Sequence, residues 1–595
     1  MSAIVPGPGG AALLFALAVP LAMLAACLRA SCRPAIFRCL GLAALPALLA
    51  ALVDVGPDAI VVDPAGLQLT LGLDRPRAIL LGATALLWSV AGWYAPTYHR
   101  REGRGGLDDR DGGSLAIAWL ACLAGCIGVF IAGDLVSFYA FFALASLPAY
   151  GLVIHDRSAA ARRAAGIYLL LAIIGEAFLL LGFVLLAKGS PDASLRISTV
   201  VAALPEAALR SQAVLFLLLG LGMKAGLVPL HFWLPLAHPA APMPASAVLS
   251  GALIKTGIIG LIVMLPFGAA TASAGVGAAG AAAVVGQSAS GAIAQWASAW
   301  SAAIVAIGFI TAFAGAGLGF VQSNPKTILA YSSVSQMGLI VAILGAGLAP
   351  AAATDSTNGP GESIRLVASC AALHHALVKG ALFLGLGVIA ATGHRRRRAA
   401  GVAMALLALS LAGLPLTGGA LAKLAAKPIF GAGIAGALAF GSAVASALLM
   451  TRFVSALASI VGPTRSATAP IGLALPWWIL AVGAFIVPWI VLPSATEVPR
   501  GAAFAPGALW DGLWPVILGA LLAEGIRRSR TPLPRIPEGD IVVPLERDLP
   551  RLTAAAEGFA GALDAATRSW RGGGIALLGV LVGLIALALV GLLRG

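Results

Sequence analysis

Residues 222–257 read GMKAGLVPLHFWLPLAHPAAPMPASAVLSGALIKTG. The stretch is apolar enough to lie in a bilayer, yet it holds Lys224, His231, His238 and Lys255 together with five prolines. A segment that only anchored the chain would avoid all of them. Prolines break the backbone hydrogen-bond ladder, which hydrocarbon tolerates only where the break is buried in protein or lines a cavity. Ionisable side chains at that depth are costly, so their presence points to function. The stretch therefore predicts a broken helix inside a larger membrane-embedded fold.

The rest of the chain agrees. Of 595 residues 60% are hydrophobic and 10% charged, with a mean hydropathy of +0.98. Soluble domains carry about a quarter charged residues, and apolar runs of about 18 residues or more recur from end to end. We read about fifteen or sixteen transmembrane helices, an all-α polytopic membrane protein. The first apolar run, Gly10–Arg29, has no basic segment before it and no small-residue cleavage site, so it is read as a span. The six cysteines form no CxxC or Cys/His pattern, so no metal site is expected and buried free thiols are. Neither GxxxxGK[ST] nor a GxGxxG between strand and helix occurs, which argues against nucleotide hydrolysis and dinucleotide binding. No cofactor is expected.

The net charge of +14 is a topology signal and no sign of nucleic-acid binding. Arginines gather in alternate loops, at Arg29–Arg38, His99–Arg110, His155–Arg163, Arg395–Arg398 and Arg527–Arg535. Loops between them are poor in basic residues or acidic, as at Asp54–Asp63 and Asp355–Glu362. By the positive-inside rule the N-terminus lies on the outer side.

The chain divides into four parts. Residues 1–110 hold the first spans and an outer-face hairpin, marked by the alternation of Leu67, Leu69, Leu71 and Leu73. Residues 111–265 and 293–460 form two central blocks, with an Ala/Gly/Ser-rich loop or frayed helix end at 269–292 between them. Residues 461–595 hold further spans, an amphipathic surface helix at Leu545–Trp570 and a last apolar run at Ile575–Leu593. The second block repeats the interruption of the first: in GLPLTGGALAKLAAKP (413–428), Pro415 and Gly418–Gly419 precede Lys423. Broken helices in both halves of a membrane protein point to a transport path at mid-membrane.

Lysine is used selectively. Of 38 basic residues seven are lysines; Lys188 and Lys326 stand at span ends, and Lys224, Lys255, Lys379, Lys423 and Lys427 fall within apolar segments. Arginine stays charged under all physiological conditions, whereas a desolvated lysine can exchange its proton. Proton transfer would favour this choice. His375 and Lys379 are four apart and share a helix face, while His374 on the adjacent face reads as a helix contact. His231 and His238 flank the first break as relay candidates, and Glu176 reads as the single carboxylate deep in a span. Lys427 is open to snorkelling toward the interface.

Four motifs together resemble the antiporter-like subunits of respiratory complex I. They are MKAGLVPLHFWLPLAHPAAPMPASAVLSGALIKTG (223–257), SNPKTILAYSSVSQMGLI (323–340), HHALVKGALFLGLGVI (374–389) and GLPLTGGALAK (413–423). The same family includes large subunits of Mrp-type cation/proton antiporters and of membrane-bound hydrogenases of the formate hydrogenlyase type. The resemblance covers about residues 110–460. It implies a core with two inverted five-helix repeats, each holding a broken helix. By motif position, Lys224 resembles the proton-channel lysine of the first broken helix and Lys255 the connecting lysine. His375 and Lys379 resemble the pair of the second half, and Lys423 the lysine of the second broken helix. One position departs: where the family has FYxFWELxSLPAY, this chain reads FYAFFALASLPAY (138–150), with Ala143 at the glutamate. Glu176 is the candidate substitute partner for Lys224.

The reading is a proton-translocating membrane subunit of a respiratory-type oxidoreductase complex, related to NADH dehydrogenases and hydrogenases. The alternatives are an Mrp-type cation/proton antiporter subunit and a module energising inorganic-carbon uptake. Other membrane subunits are the expected partners, with a redox module of quinone or hydrogenase type; the expected location is a bacterial inner membrane. A long lateral helix like that of the distal complex I subunit is not expected: the roughly 45 residues before the last span reach about 65 Å at most, and five prolines between Pro532 and Pro550 shorten them.

Overall fold

The computed structural model describes residues 7–53, 56–62, 69–102, 110–267, 281–349, 361–393, 397–460, 467–496, 498–529, 533–534 and 536–539. Residues 1–538 form one compact unit and 539–595 a second. The expected surface helix and last span lie in the second unit, outside the described residues.

The described residues are all-α apart from one hairpin. Among the described residues twelve helices are long and apolar enough to cross a membrane, or thirteen with the bent pair Ala30–Arg38 and Leu40–Ala50. That pair is expected from sequence as one plain span; it bends by 67°. The hairpin pairs β1 (Gly56–Val62) with β2 (Leu69–Leu73) in antiparallel register. It is tied to the bundle by Asp134, which is fully buried. One Asp134 carboxylate oxygen accepts from the Thr70 amide at 2.7 Å and the other from the Ser137 amide at 2.8 Å, capping the helix Leu135–Ser146.

The central blocks are built on helices of which Met243–Met264, Pro325–Ala346 and Glu362–Ala391 are buried nearly all round. We label the helices α1 (Ala159–Lys188), α2 (Arg210–Ala225), α3 (Trp233–Ala240), α4 (Met243–Val248) and α5 (Lys255–Met264). They are followed by α6 (Ala281–Phe320), α7 (Pro325–Ala346), α8 (Glu362–Ala391), α9 (Arg397–Ala412), α10 (Gly418–Phe430), α11 (Ile434–Ala456), α12 (Ile471–Ala495) and α13 (Pro506–Ser529). The expected loop at 269–292 is in part helix, because α6 starts at Ala281. Its alanines favour helix, and its glycines recur as helix contacts further along. A Cβ on Gly308 would stand 2.6 Å from the Ala342 amide nitrogen, so the backbones of α6 and α7 touch there.

Both interruptions are present. The first lies between α2 and α3, and opens at Gly226 in the left-handed region (φ +78°). The second lies between α9 and α10. Gly413 (φ +90°) starts it, and a Cβ there would meet the Lys423 ammonium at 2.5 Å. As the sequence predicts, this segment is two half-helices. A third irregularity was not expected: a π-turn at Leu249–Leu253 separates α4 from α5 and leaves Ser250 with its carbonyl directed to a side chain.

Candidate functional site

The buried lysines find their partners at these irregularities. Lys255 opens α5 and is fully buried; its ammonium donates to the Ser250 carbonyl in the π-turn at 2.9 Å. It also meets His375 Nδ1 at 2.5 Å. With the ammonium as donor, the imidazole carries its own proton on Nε2, which has no hydrogen-bond partner among the described residues. One turn on, Lys379 is also fully buried and donates to the Leu329 carbonyl at 2.7 Å and to the Ser332 hydroxyl.

Serines join the two lysines. The Ser250 and Ser333 hydroxyls are 2.7 Å apart, and Ser333 donates to the Leu329 carbonyl that Lys379 shares. The helix α7 supplies Leu329, Ser332 and Ser333, so the motif AYSSVSQMG places two adjacent serines, with Tyr331, Ser335 and Gln336 beside them, within a membrane span. Sequence reasoning passed over these serines. Two adjacent hydroxyls in a span were the available signal, since polar groups there need partners on other helices.

His374 faces away from this cluster. Its Nε2 lies 2.8 Å from the Ser410 hydroxyl, and Gly418 and Gly419 give it room: a Cβ on Gly418 would stand 2.6 Å from the ring. The half-buried Lys423 donates to the Ala412 carbonyl, the C-terminal end of α9. A cation at a helix C-terminus meets both unsatisfied carbonyls and the negative end of the dipole.

Lys423 and His374 border a cavity of about 300 Å³, which also reaches Gln336, Lys427 and Asp511. Lys427 and Asp511 form an ion pair at 2.6 Å whose side chains are 67% and 49% exposed. Asp511 is thus a second acid on a spanning helix, though half exposed where Glu176 is buried. Asp511, near the start of α13, was overlooked because its partner is 84 residues away in sequence. An exposed ion pair contributes little to stability. Lys427→Ala should therefore lower activity less than twofold, whereas Lys423→Ala should lower it at least tenfold; proton flux in membrane vesicles compares the two.

The first half is arranged differently. Lys224 sits in the last turn of α2 and donates to the Tyr168 hydroxyl at 3.1 Å; that hydroxyl donates to the Ser146 carbonyl at 2.8 Å. The Tyr168 and Phe142 rings stand 5.5 and 5.8 Å from the ammonium, within cation–π range. Glu176 is buried beside Ser146 and within range of the Lys224 charge, but no ion pair joins them. A cavity of about 20 Å³ touches Lys224, Tyr168 and Ser146, room for roughly one water. Tyr168, not foreseen from sequence, is the direct partner of Lys224.

His231 packs against Tyr331 with ring centroids 6.0 Å apart. His238, fully buried in α3, stacks on Phe383 at 4.6 Å, and neither ring nitrogen has a hydrogen-bond partner. The structure thus brings Lys255, His375 and Lys379 together in one cluster, with His238 within range of the Lys379 charge. Lys224 with Glu176 forms a separate group. Among the described residues no cluster of His, Cys, Asp or Glu could hold a metal. Chemically, the arrangement offers a row of proton donors and acceptors.

Comparison with known proteins agrees with this layout. Residues 132–286 and 276–450 match the family described as NADH:quinone oxidoreductase/Mrp antiporter, transmembrane. Hydrogenase-4 component B of Escherichia coli is 29% identical over 331 residues, covering 55% of this chain and 44% of that protein. A putative antiporter subunit, mnhA2, of Staphylococcus haemolyticus is 30% identical, covering 50% of this chain and 36% of its own length. The chain thus spans less than half the length of these two relatives. In fold, the chain resembles the Mrp complex of Dietzia sp. DQ12-45-1b (TM-score 0.69, 22% identity, 98% of this chain and 63% of that one). It also resembles the archaeal membrane-bound sulfane sulfur reductase (TM-score 0.61, 17% identity, 87% and 99% covered). With its broken helices, buried lysines and matched core, the chain belongs to the NADH:quinone oxidoreductase/Mrp antiporter transmembrane family.

Proposed function

We propose that this multi-pass membrane protein is a proton-translocating subunit of a respiratory-type oxidoreductase complex in a bacterial inner membrane. The observation that carries the reading is the buried run Lys255–His375 with Lys379, joined by Ser250, Ser333 and the Leu329 carbonyl. The two lysines, the imidazole and the serine hydroxyls can donate or accept a proton, and the Ser250 and Leu329 carbonyls hold them within hydrogen-bond distance of one another by accepting from them. From Lys379 the path continues past His374 and Ser410 to Lys423 and the cavity beside it. Lys224, Tyr168 and Glu176 form the loading site of the first half, with His231 in the break between α2 and α3 and His238 at the far end of α3. This reading assigns electron transfer to partner subunits, a quinone- or hydrogen-linked module together with further membrane subunits.

A second reading, a subunit of an Mrp-type cation/proton antiporter, is favoured by the likeness in fold to the Mrp complex over 98% of the chain. Inverted vesicles from the native host separate the two. Acidification that follows addition of an electron donor supports the first. Acidification that instead collapses on adding sodium, with no donor effect, overturns it in favour of the second.

The loading site carries its own expectation. Glu176 lies within charge range of Lys224, which supports it as the substitute for the carboxylate missing at Ala143. Glu176→Gln should slow proton flux at least fivefold, and Ala143→Glu in the same chain should restore part of it. Full flux in Glu176→Gln alone would reduce Glu176 to a tolerated polar residue.

A further inference from the structure

The sequence places Lys326 at a span end, where a lysine normally reaches for water. Its ammonium does something else. It donates to the Ala241 carbonyl at 2.6 Å and the Pro239 carbonyl at 3.3 Å, 85 and 87 residues away. These are the carbonyls that close the half-helix α3, whose last turn also carries His238. Pro239 and Pro242 stop the helix there and cannot donate, so α3 ends on carbonyls that need an outside partner. The Ser246 hydroxyl donates to the His238 and Ala241 carbonyls at 3.1 and 3.3 Å, and Lys326 adds a cation at the negative end of the helix dipole.

The turn that bears Lys326 is itself held. Asn324 caps α7 by accepting from the Lys326 amide at 3.0 Å. Glu538 accepts from the Thr327 hydroxyl at 2.7 Å and from the Asn324 amide group at 3.4 Å. The Gln322 side chain donates to the Ile536 carbonyl at 3.2 Å. The segment around Glu538 thus braces the start of α7, and α7 in turn grips the end of α3.

We infer that Lys326 is a positioning residue: a fixed cation that holds the C-terminal end of α3, and with it His238, against Phe383, without itself carrying a transported proton. The inference rests on the proton-translocation reading for its functional consequence. It sets Lys326 apart from Lys224 and Lys379, because a clasp needs only a lasting positive charge with two donors, and arginine provides both. Arginine cannot stand in for a proton carrier.

The test uses the full chain in membranes of the native host, with Lys326→Arg and Lys326→Met side by side. Proton flux in Lys326→Arg should stay above half of the unmodified level, and in Lys326→Met should fall at least fivefold. Hydrogen exchange of backbone amides at 236–245 should quicken about tenfold in Lys326→Met and stay unchanged in Lys326→Arg. An inserted Lys326→Arg chain as inactive as the methionine variant would overturn the inference by making Lys326 a carrier. Unchanged exchange in Lys326→Met would overturn the clasp. Should the Met variant not accumulate, the Arg variant alone decides: activity supports a fixed cation and inactivity refutes it. If the unmodified chain moves no protons, the translocation reading fails, while the exchange measurement still decides the clasp.

Discussion

His375→Leu is expected to reduce proton flux by at least tenfold while the chain still inserts and assembles. The His375 ring is the direct neighbour of the Lys255 ammonium at 2.5 Å and shares the α8 face with Lys379. Leucine matches much of its volume and keeps the packing, so the loss should be one of transfer and not of folding. His375→Gln gives the control. It keeps a hydrogen-bond acceptor for Lys255 but cannot take up a proton, and it should be nearly as inactive as the leucine variant. Near-normal flux in His375→Gln would mean that the ring only positions Lys255. Flux in vesicles, normalised to the amount of inserted chain, reads all three.

Lys224→Arg should lose at least nine-tenths of the flux, as should Lys224→Ala. Both lesions act on the same step. In Lys224→Ala the carrier is missing; in Lys224→Arg the charge is present but cannot be released. The Tyr168 hydroxyl and the two aromatic faces remain to hold a guanidinium, so the arginine chain should be stable. Normal flux in Lys224→Arg would remove the first half from the path and leave only the cluster of the second half.

Magnitudes explain why these lysines can sit where they do without carboxylates. Placing a lysine at the centre of a membrane helix costs about 3 kcal/mol on insertion scales. A hydrogen bond to a charged group returns about 1.5–3 kcal/mol. Lys379 makes two, to Leu329 and Ser332, and Lys255 makes its own to Ser250 and His375. Cost and return are of one size. The backbone irregularities supply the acceptors: the π-turn for Lys255, the end of α9 for Lys423, the end of α3 for Lys326. The breaks thus serve the lysines as well as the path.

Much of this was legible in the sequence because it is local. Five prolines and Gly226 mark the first break, Gly413 and Pro415 the second, and alternating leucines the hairpin. The positions of the breaks were less so. Pro235 falls inside α3 and not in the gap, since a proline in the first turn of a helix costs no hydrogen bond. What the sequence hid is what tertiary contact creates. The π-turn at Leu249–Leu253 contains no breaker except Gly251. Tyr168 with Lys224, Asp511 with Lys427 and Lys326 with α3 pair residues 56, 84 and 85 apart. No spacing rule reaches that far. The lysines themselves were visible because hydrocarbon makes any buried cation conspicuous.

The central claim is that protons cross by loading and unloading buried lysines, and Lys379 tests it most directly because it is fully buried, with its ammonium bonded to the Leu329 carbonyl and the Ser332 hydroxyl. The measurement is donor-driven acidification of inverted vesicles carrying Lys379→Arg, scaled to inserted chain. A rate below a tenth of the unmodified protein is the predicted result. A rate equal to it would contradict the account, because an arginine at that position can hold the structure but cannot pass a proton.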